Sequence, residues 1–274
     1  MGDGHASAGN ERRQGRSTVT VRIVSWNVNG IRSVFRKGFS AWLQRESPDI
    51  FCAQELKAQL SQLGQGFQEP EGYHVYWDWG DRKGYSGVAT FCRQEPASVR
   101  TGLGIERFDR EGRVLVTEYP DFCLFNVYFP NGKASQERLR YKLEFCDAFL
   151  EHVSSLLESG GRIVVCGDFN TAHKEIDLAR PRENSRVSGF LPEERAWIDR
   201  FVERGFVDTF RQFNREPAQY TWWDMKSRAR ERNVGWRIDY FFVSANLLPS
   251  LSAATIMQDV MGSDHCPVAI ELSL

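Results

Sequence analysis

The stretch Arg162-Ile163-Val164-Val165-Cys166-Gly167-Asp168-Phe169-Asn170 decides how the rest of the chain is read. Its apolar run, led by three β-branched residues, suits a short strand buried on both faces. A glycine follows, then a carboxylate and a carboxamide on either side of Phe169, which an extended backbone turns to one face. Such a pair at the end of a buried strand can orient a water and hold a phosphate oxygen. It can equally be an Asx turn that caps the strand.

The same arrangement recurs on both sides of this stretch. Val19 to Val28 has strand composition and ends on the turn signal Asn29-Gly30. Asp49 to Gln54 reads as a buried strand with Glu55 at its C-terminal end. Val88 to Cys92, Arg113 to Tyr119, Phe122 to Phe129, Arg237 to Ser244 and Val268 to Leu274 read as further strands. Phe39 to Arg45 predicts a short helix. Ser135 to Leu157 predicts a long one, with Leu139, Leu143, Cys146, Leu150, Val153 and Leu157 on one face. Pro192 to Glu203 predicts a third, with Trp197, Ile198, Phe201 and Val202 inward. There is no regular βαβ alternation, and no linker rich in Pro, Gly or Ser divides the chain. These elements predict an α/β protein with a two-sheet core and helices packed outside. Residues 19–274 form one catalytic-sized domain, and residues 1–18, polar and glycine-rich, are expected to be a disordered tail.

With 274 residues the chain can bury a large core, and its 8 Trp and 19 Phe suit one. A formal net charge of −1 excludes a global basic field of the kind that wraps nucleic acid. Local basic runs at 180–186 and 226–232 can be solvated faces or phosphate contacts. The six cysteines form no CxxC pair or zinc-like spacing and mostly lie in apolar runs, as expected of free thiols in a reducing compartment. No run is long enough for a membrane span, and the N-terminus lacks the apolar region of a secretory signal.

Several residues at strand ends are able to carry chemistry. Glu55 is either an exposed loop acid or a ligand for a cation that prefers few carboxylates. Asn27 and Asn29, on either side of Val28, are expected to share one strand face. Asp264-His265 supplies an imidazole, with Asp239 a candidate to orient it for proton transfer or phosphate binding. Tyr128 can present a phenol beside the Pro130-Asn131 turn or serve the core. Trp222, Trp236 and Ile238 are core residues or the apolar wall of a pocket.

Taken together, SWNVNG (25–30), AQELK (53–57), GYSGVA (84–89), YFPNG (128–132), GDFN (167–170), GFLPEER (189–195), DTFR (208–211), YTWW (220–223), NVGWRIDYF (233–241) and SDHCP (263–267) resemble the exonuclease III/apurinic-apyrimidinic endonuclease family of DNA repair enzymes, in its bacterial-type branch. The resemblance runs from about Thr20 to the C-terminus. It implies a four-layered α/β sandwich, two mixed β-sheets packed face to face and flanked by helices. It also implies Mg²⁺-dependent cleavage of the phosphodiester 5′ to an abasic site, leaving a 3′-hydroxyl, with Mn²⁺ able to substitute and with some 3′-end trimming. The implied substrate is double-stranded DNA with abasic sites or blocked 3′ ends. No membrane is involved, and a monomer is expected. The protein would lie in the cytoplasm or nucleoid of a bacterium, or in the nucleus or an organelle of a eukaryote.

Carried over residue by residue, Glu55 is similar to the principal metal ligand, with Asn29 and Asp264 near the metal. Asp168 matches the carboxylate that activates the nucleophile, and Asn170 its orienting partner. Tyr128, Asn27 and His265 would contact the scissile phosphate, with Asp239 fixing the imidazole. Trp222, Trp236 and Ile238 match the pocket for the extruded sugar, and Asn131 a position beside it. Many relatives carry Asp where this chain has Asn29, which lowers the negative charge of the site. The basic segment 224–232 departs from relatives with an apolar wedge there. A phosphoesterase acting on inositol phosphates or sphingomyelin is the rival enzyme, disfavoured by NVGWRIDYF. A DNA-binding accessory without catalysis is disfavoured by the full set Glu55, Asp168, Asn170, Asp239 and His265.

Overall fold

A computed structural model describes residues 19–64 and 70–274. The segment expected to be a tail lies outside the described residues. Fourteen strands are present among them: β1 (Thr20–Asn27), β2 (Ile50–Gln54), β3 (His74–Asp78), β4 (Val88–Cys92), β5 (Ser98–Thr101), β6 (Val114–Glu118), β7 (Cys123–Tyr128), β8 (Ile163–Asp168), β9 (Phe206–Asp208), β10 (Trp222–Trp223), β11 (Gly235–Trp236), β12 (Asp239–Ser244), β13 (Leu251–Ile256) and β14 (Val268–Ser273). Six form one sheet in the order β13-β14-β1-β2-β4-β3, six another in the order β5-β6-β7-β8-β12-β9, and β10 and β11 make a separate ribbon. In the first sheet only β1 and β2 run parallel, and in the second only β7 and β8. Both sheets are therefore mixed and share one plan, a central parallel pair with antiparallel neighbours.

Strict alternation along the strands creates the layers. Ile23, Ile50, Cys52, Val164, Cys166, Phe241 and Val243 point between the sheets and form the central core. Their neighbours Val24, Phe51 and Ala53 face outward, where Phe39, Trp42 and Leu43 of the helix Phe39–Glu46 cover them. On the second sheet Ile163, Val165 and Phe242 face outward under the helices Gln136–Glu158 and Pro192–Glu203. Strands buried on both faces need apolar residues at every position, which is why the sequence shows runs rather than alternation. The result is the four-layered sandwich. No helix among the described residues is long and apolar enough to cross a membrane.

Two helix faces differ from the sequence expectation. On the long helix the buried stripe takes Lys142, Phe145 and Phe149, whereas Leu143 is only half-buried. Val202 lies on the rim of its helix and is 40% exposed, because the helix packs through Trp197, Ile198 and Phe201. The edge strands β3, β5, β9 and β13 carry no uniform apolar run and were not expected.

The parallel pairs bring four strand C-termini to one edge of the sandwich. Gly167 makes this possible in the second sheet: its φ is +136°, and a Cβ there would sit 1.8 Å from the Val127 carbonyl oxygen of the neighbouring strand. Below that edge the sheets are joined by buried amides. Gln54 donates to Ser25 Oγ (2.9 Å) and Asn126 Oδ1 (2.8 Å), and Asn126 donates to the Ala89 carbonyl (2.9 Å).

At the end of β3, Asp78 shows the cost of an acid with one oxygen buried and unpartnered. Its Oδ2 has no hydrogen-bond partner, and burial, reinforced by Asp109, pushes its pKa up to about 7 against one backbone bond from Val114. The unfolded chain releases this proton near pH ~4, and the folded chain holds it to about 7. Stability is therefore lost as pH rises between those values, because the unfolded state then binds fewer protons. Asp78→Asn should exceed wild type by roughly 1–3 kcal/mol above that window and match it below. Urea denaturation at both ends checks this; a constant difference between the two proteins would show that Asp78 carries no such penalty.

Candidate active site

Every candidate residue read from the sequence lies at the edge where the parallel strands end. Asp168, the last residue of β8, is 1% exposed. Its Oδ2 accepts from Asn27 Nδ2 at 2.9 Å and Asn170 Nδ2 at 3.1 Å, and its Oδ1 from the Asn170 backbone N–H at 2.7 Å. The Asx turn and the paired site groups are thus one feature. Asn170 reaches back because its φ is +50°, a left-handed conformation that asparagine tolerates.

Asp239 opens β12 directly across from Asp168 in register. Its Oδ2 lies 2.8 Å from His265 Nδ1 and accepts from Thr221 Oγ1 at 2.6 Å. His265 turns its Nε2 toward Asp168 Oδ2, 4.0 Å away. Burial alone would lower the histidine pKa, but the Asp239 carboxylate outweighs it and raises it to about 10. Burial, with Asp239 adding repulsion, pushes Asp168 up to about 7 despite the attraction of His265. The Asp239 carboxylate therefore favours the cationic imidazole, and burial holds the proton affinity of Asp168 above that of a carboxylate in water.

On the first sheet Glu55 follows β2 with φ +57°. Asn27 is fully buried, and its amide spans the two sheets by donating also to Glu55 Oε2 at 3.0 Å. Both amide protons are thus committed to carboxylates. Asn29 does not share a strand face with Asn27, because β1 ends at Asn27 and the chain turns at Asn29 (φ +44°). Its Nδ2 nevertheless donates to Asp264 Oδ1 at 2.7 Å. Burial pushes the Asp264 carboxyl up, but His265 and the bonds from Asn29 and Trp222 bring it below the usual range.

The donor set suits a hard cation. Lys57 places its ammonium between Glu55 Oε1 (2.8 Å) and Asn29 Oδ1 (2.5 Å), so these oxygens already embrace a positive charge. Asp168 and Asp239 lie close by, within 4.8 Å of each other and of the His265 ring, and Asp239 Oδ1 is buried without a partner, but the cationic imidazole has no lone pair to give an ion, so the Glu55 side is the one that fits a metal. The site can hold a metal ion.

These groups open into a cleft of about 220 Å³, lined also by Tyr128, Asn131, Lys133, Gly189, Trp222, Trp236 and Ile238. Trp222 and Trp236 are cross-strand partners in the β10–β11 ribbon, with rings edge to face at 6.4 Å. Trp222 Nε1 donates to Asp264 Oδ2 at 3.1 Å, tying this wall to the acidic side. Tyr128 rests over the Arg113 guanidinium, 4.8 Å from its ring centroid, and burial, together with Glu55, keeps its phenol protonated. Asn131 donates to Asn170 Oδ1 at 2.8 Å. In the basic segment, Arg230 is spent on the Gln258 and Val260 carbonyls.

Sequence reasoning missed Thr221, which holds Asp239, and Lys57 and Lys133, which line the cleft. It also missed Lys142 and Glu194. Lys142 Nζ donates to the Asn170 carbonyl (2.8 Å), Thr171 Oγ1 (2.8 Å) and Glu194 Oε1 (2.6 Å). Glu194 in turn accepts from the backbone of Gly189 (2.5 Å) and Leu191 (3.1 Å). This pair fixes Gly189 against the Trp236 ring, where a Cβ would come within 3.2 Å. Glu194 lies within the GFLPEER segment, which was its only signal.

Residues 24–265 match the model of the Endonuclease/Exonuclease/phosphatase family. The chain is 44% identical over 256 residues to an exodeoxyribonuclease of Bacillus subtilis, covering 93% of this chain and 100% of that one. It is 42% identical over 265 residues to the DNA repair nuclease APEX1 of Danio rerio, covering 96% and 85%. Among solved structures, an AP endonuclease from Archaeoglobus fulgidus superposes with a TM-score of 0.84 at 28% identity, covering 93% of this chain and 100% of that one.

Lys142→Met should destabilise the fold by roughly 3–5 kcal/mol, because it leaves the Glu194 carboxylate buried without its cation. Denaturant unfolding measures this, and adding Glu194→Gln should recover part of the loss. A change below about 1 kcal/mol would show that the pair is not holding this side of the cleft.

Proposed function

The chain belongs to the Endonuclease/Exonuclease/phosphatase family, and from that premise we propose that it is a DNA repair nuclease that hydrolyses the phosphodiester 5′ to an abasic site in duplex DNA. The same site would trim blocked 3′ ends. One observation carries this reading: the apolar wall of Trp222, Trp236 and Ile238 shares a single small cleft with Asp168 and His265. A cleft of about 220 Å³ suits a deoxyribose without its base, and extrusion costs least where the base is already missing.

Glu55, Asn29 and Asp264 would hold Mg²⁺, or Mn²⁺ in its place, and the ion would supply charge stabilisation at the phosphate oxygens. The protein groups account for the rest. Asp168 takes a proton from the attacking water, and Asn170 fixes the carboxylate that does so. The water oxygen adds to phosphorus, the bond to the upstream 3′ oxygen breaks, and that oxygen takes a proton from solvent water as it leaves, becoming the 3′-hydroxyl. His265, kept cationic by Asp239, donates to a non-bridging oxygen as negative charge accumulates there. Tyr128 offers a protonated phenol to the same phosphate. Asn27 acts as a strut, since its amide already bridges Glu55 and Asp168.

A duplex with one tetrahydrofuran abasic analogue should be cut 5′ to the lesion with Mg²⁺ and left intact with EDTA. Asp168→Asn should reduce single-turnover incision by about 10³-fold or more while the duplex stays bound. Binding without incision by the wild type would sink the nuclease reading, and normal cutting by the variant would remove Asp168 from its role.

A further inference from the structure

Lys133 lines the cleft without a counter-ion. Its Nζ lies 5.0 Å from the Trp222 ring centroid and 5.3 Å from that of Trp236, the two indoles of the apolar wall. The other cleft lysine, Lys57, is neutralised by Glu55, and Lys142 behind the wall is neutralised by Glu194. Among the described residues no carboxylate forms a salt bridge with Lys133, whose side chain remains exposed at the cleft mouth. Crowding by its surroundings and repulsion from Lys142 lower its pKa. A cation held over two aromatic faces gains attraction from the rings, and at the exposed cleft mouth its N–H groups are left to water.

The root of this side chain is fixed. The Lys133 backbone N–H donates to Asn131 Oδ1 at 2.8 Å, and Asn131 is bonded to Asn170. Gly132 passes so close to the neighbouring loop that a Cβ would come 2.6 Å from Ser188 Oγ. The ammonium is thus presented to whatever group enters the cleft beside the scissile phosphate. An abasic sugar brings no charge of its own to that position. A small acidic fragment on a broken 3′ end brings a carboxylate, which supplies the missing counter-charge and replaces water as the acceptor.

We propose that Lys133 is a specificity-determining residue whose ammonium pairs with a carboxylate on the fragment held in the cleft, so that the site favours acidic 3′-blocking groups over uncharged ones of equal size. The proposal rests on the nuclease reading for what enters the cleft. Its test does not depend on turnover.

Two fluorescent duplexes are compared in EDTA by anisotropy, one ending in 3′-phosphoglycolate and one in the uncharged 3′-phospho-2-hydroxyethyl group. The wild type should bind the glycolate end roughly 5–10-fold more tightly. Lys133→Gln should abolish that ratio, and Lys133→Arg should keep most of it. Equal affinities for the wild type, or a ratio unchanged by Lys133→Gln, would overturn the proposal. With Mg²⁺ restored, the ratio of kcat/KM values for the two ends should fall in Lys133→Gln by the same factor. Failure of the wild type to incise the abasic duplex counts against the nuclease reading alone, because the binding ratio still decides the role of Lys133.

Discussion

Two carboxylates from different sheets, Glu55 and Asp168, share the amide of one buried asparagine, and the geometry of the whole edge follows from that sharing. Asn27 can reach both only because β1 and β8 end at the same height. Without a common donor, two acids brought this close in a dry edge would repel and take up protons. The buried Gln54–Asn126 layer beneath keeps the sheets in register, so the distance between the acids is set by the packing of the sandwich. A small shift of one sheet on the other would separate the site into two unrelated halves.

The second consequence is electrostatic. Asp168, Asp239, Asp264 and Glu55 would form an acidic hole if each stood alone. Instead, each acid has an assigned donor or cation: Asn27 and Asn170 for Asp168, Thr221 and His265 for Asp239, Asn29 and Trp222 for Asp264, Lys57 for Glu55. Asp168 is held by two neutral amides deep in the edge, and burial with repulsion from Asp239 raises its proton affinity to about 7 against the attraction of His265. Its reactivity thus arises from where it sits in a shared network, and the same carboxylate in water would be a poor base.

Much of this was legible in the sequence for a simple reason. Strands buried on both faces write themselves as apolar runs, and a polar residue at the end of such a run has few places to go. Asp168, Asp239 and Glu55 each announced themselves in that way. Lys142 and Glu194 did not, because they lie on helices with heptad-like spacing, where a charged residue reads as a solvated face. Thr221 was hidden for the opposite reason: within the Tyr220 to Trp223 cluster it reads as strand filler, although its hydroxyl fixes Asp239. Asn29 lines the cleft by a left-handed turn, not by the shared strand face that the alternation predicts, since two residues of alternation cannot foresee such a turn.

That turn belongs to a pattern. Asn29, Glu55 and Asn170 all have positive φ, and each immediately follows or nearly follows a strand that ends at the site. A left-handed residue there ends the pleat and swings the side chain back over the strand terminus, toward the substrate side. For asparagine the cost is small, but glutamate seldom adopts this conformation. The strain is tolerated because the Gly30 and Ile31 backbone N–H groups are bonded to the carbonyls of Glu55 and Leu56, so the fold over-determines the bend. The residues that break the local rules of strand geometry are therefore the ones that assemble the site, and the regular sandwich around them is what makes that irregularity affordable.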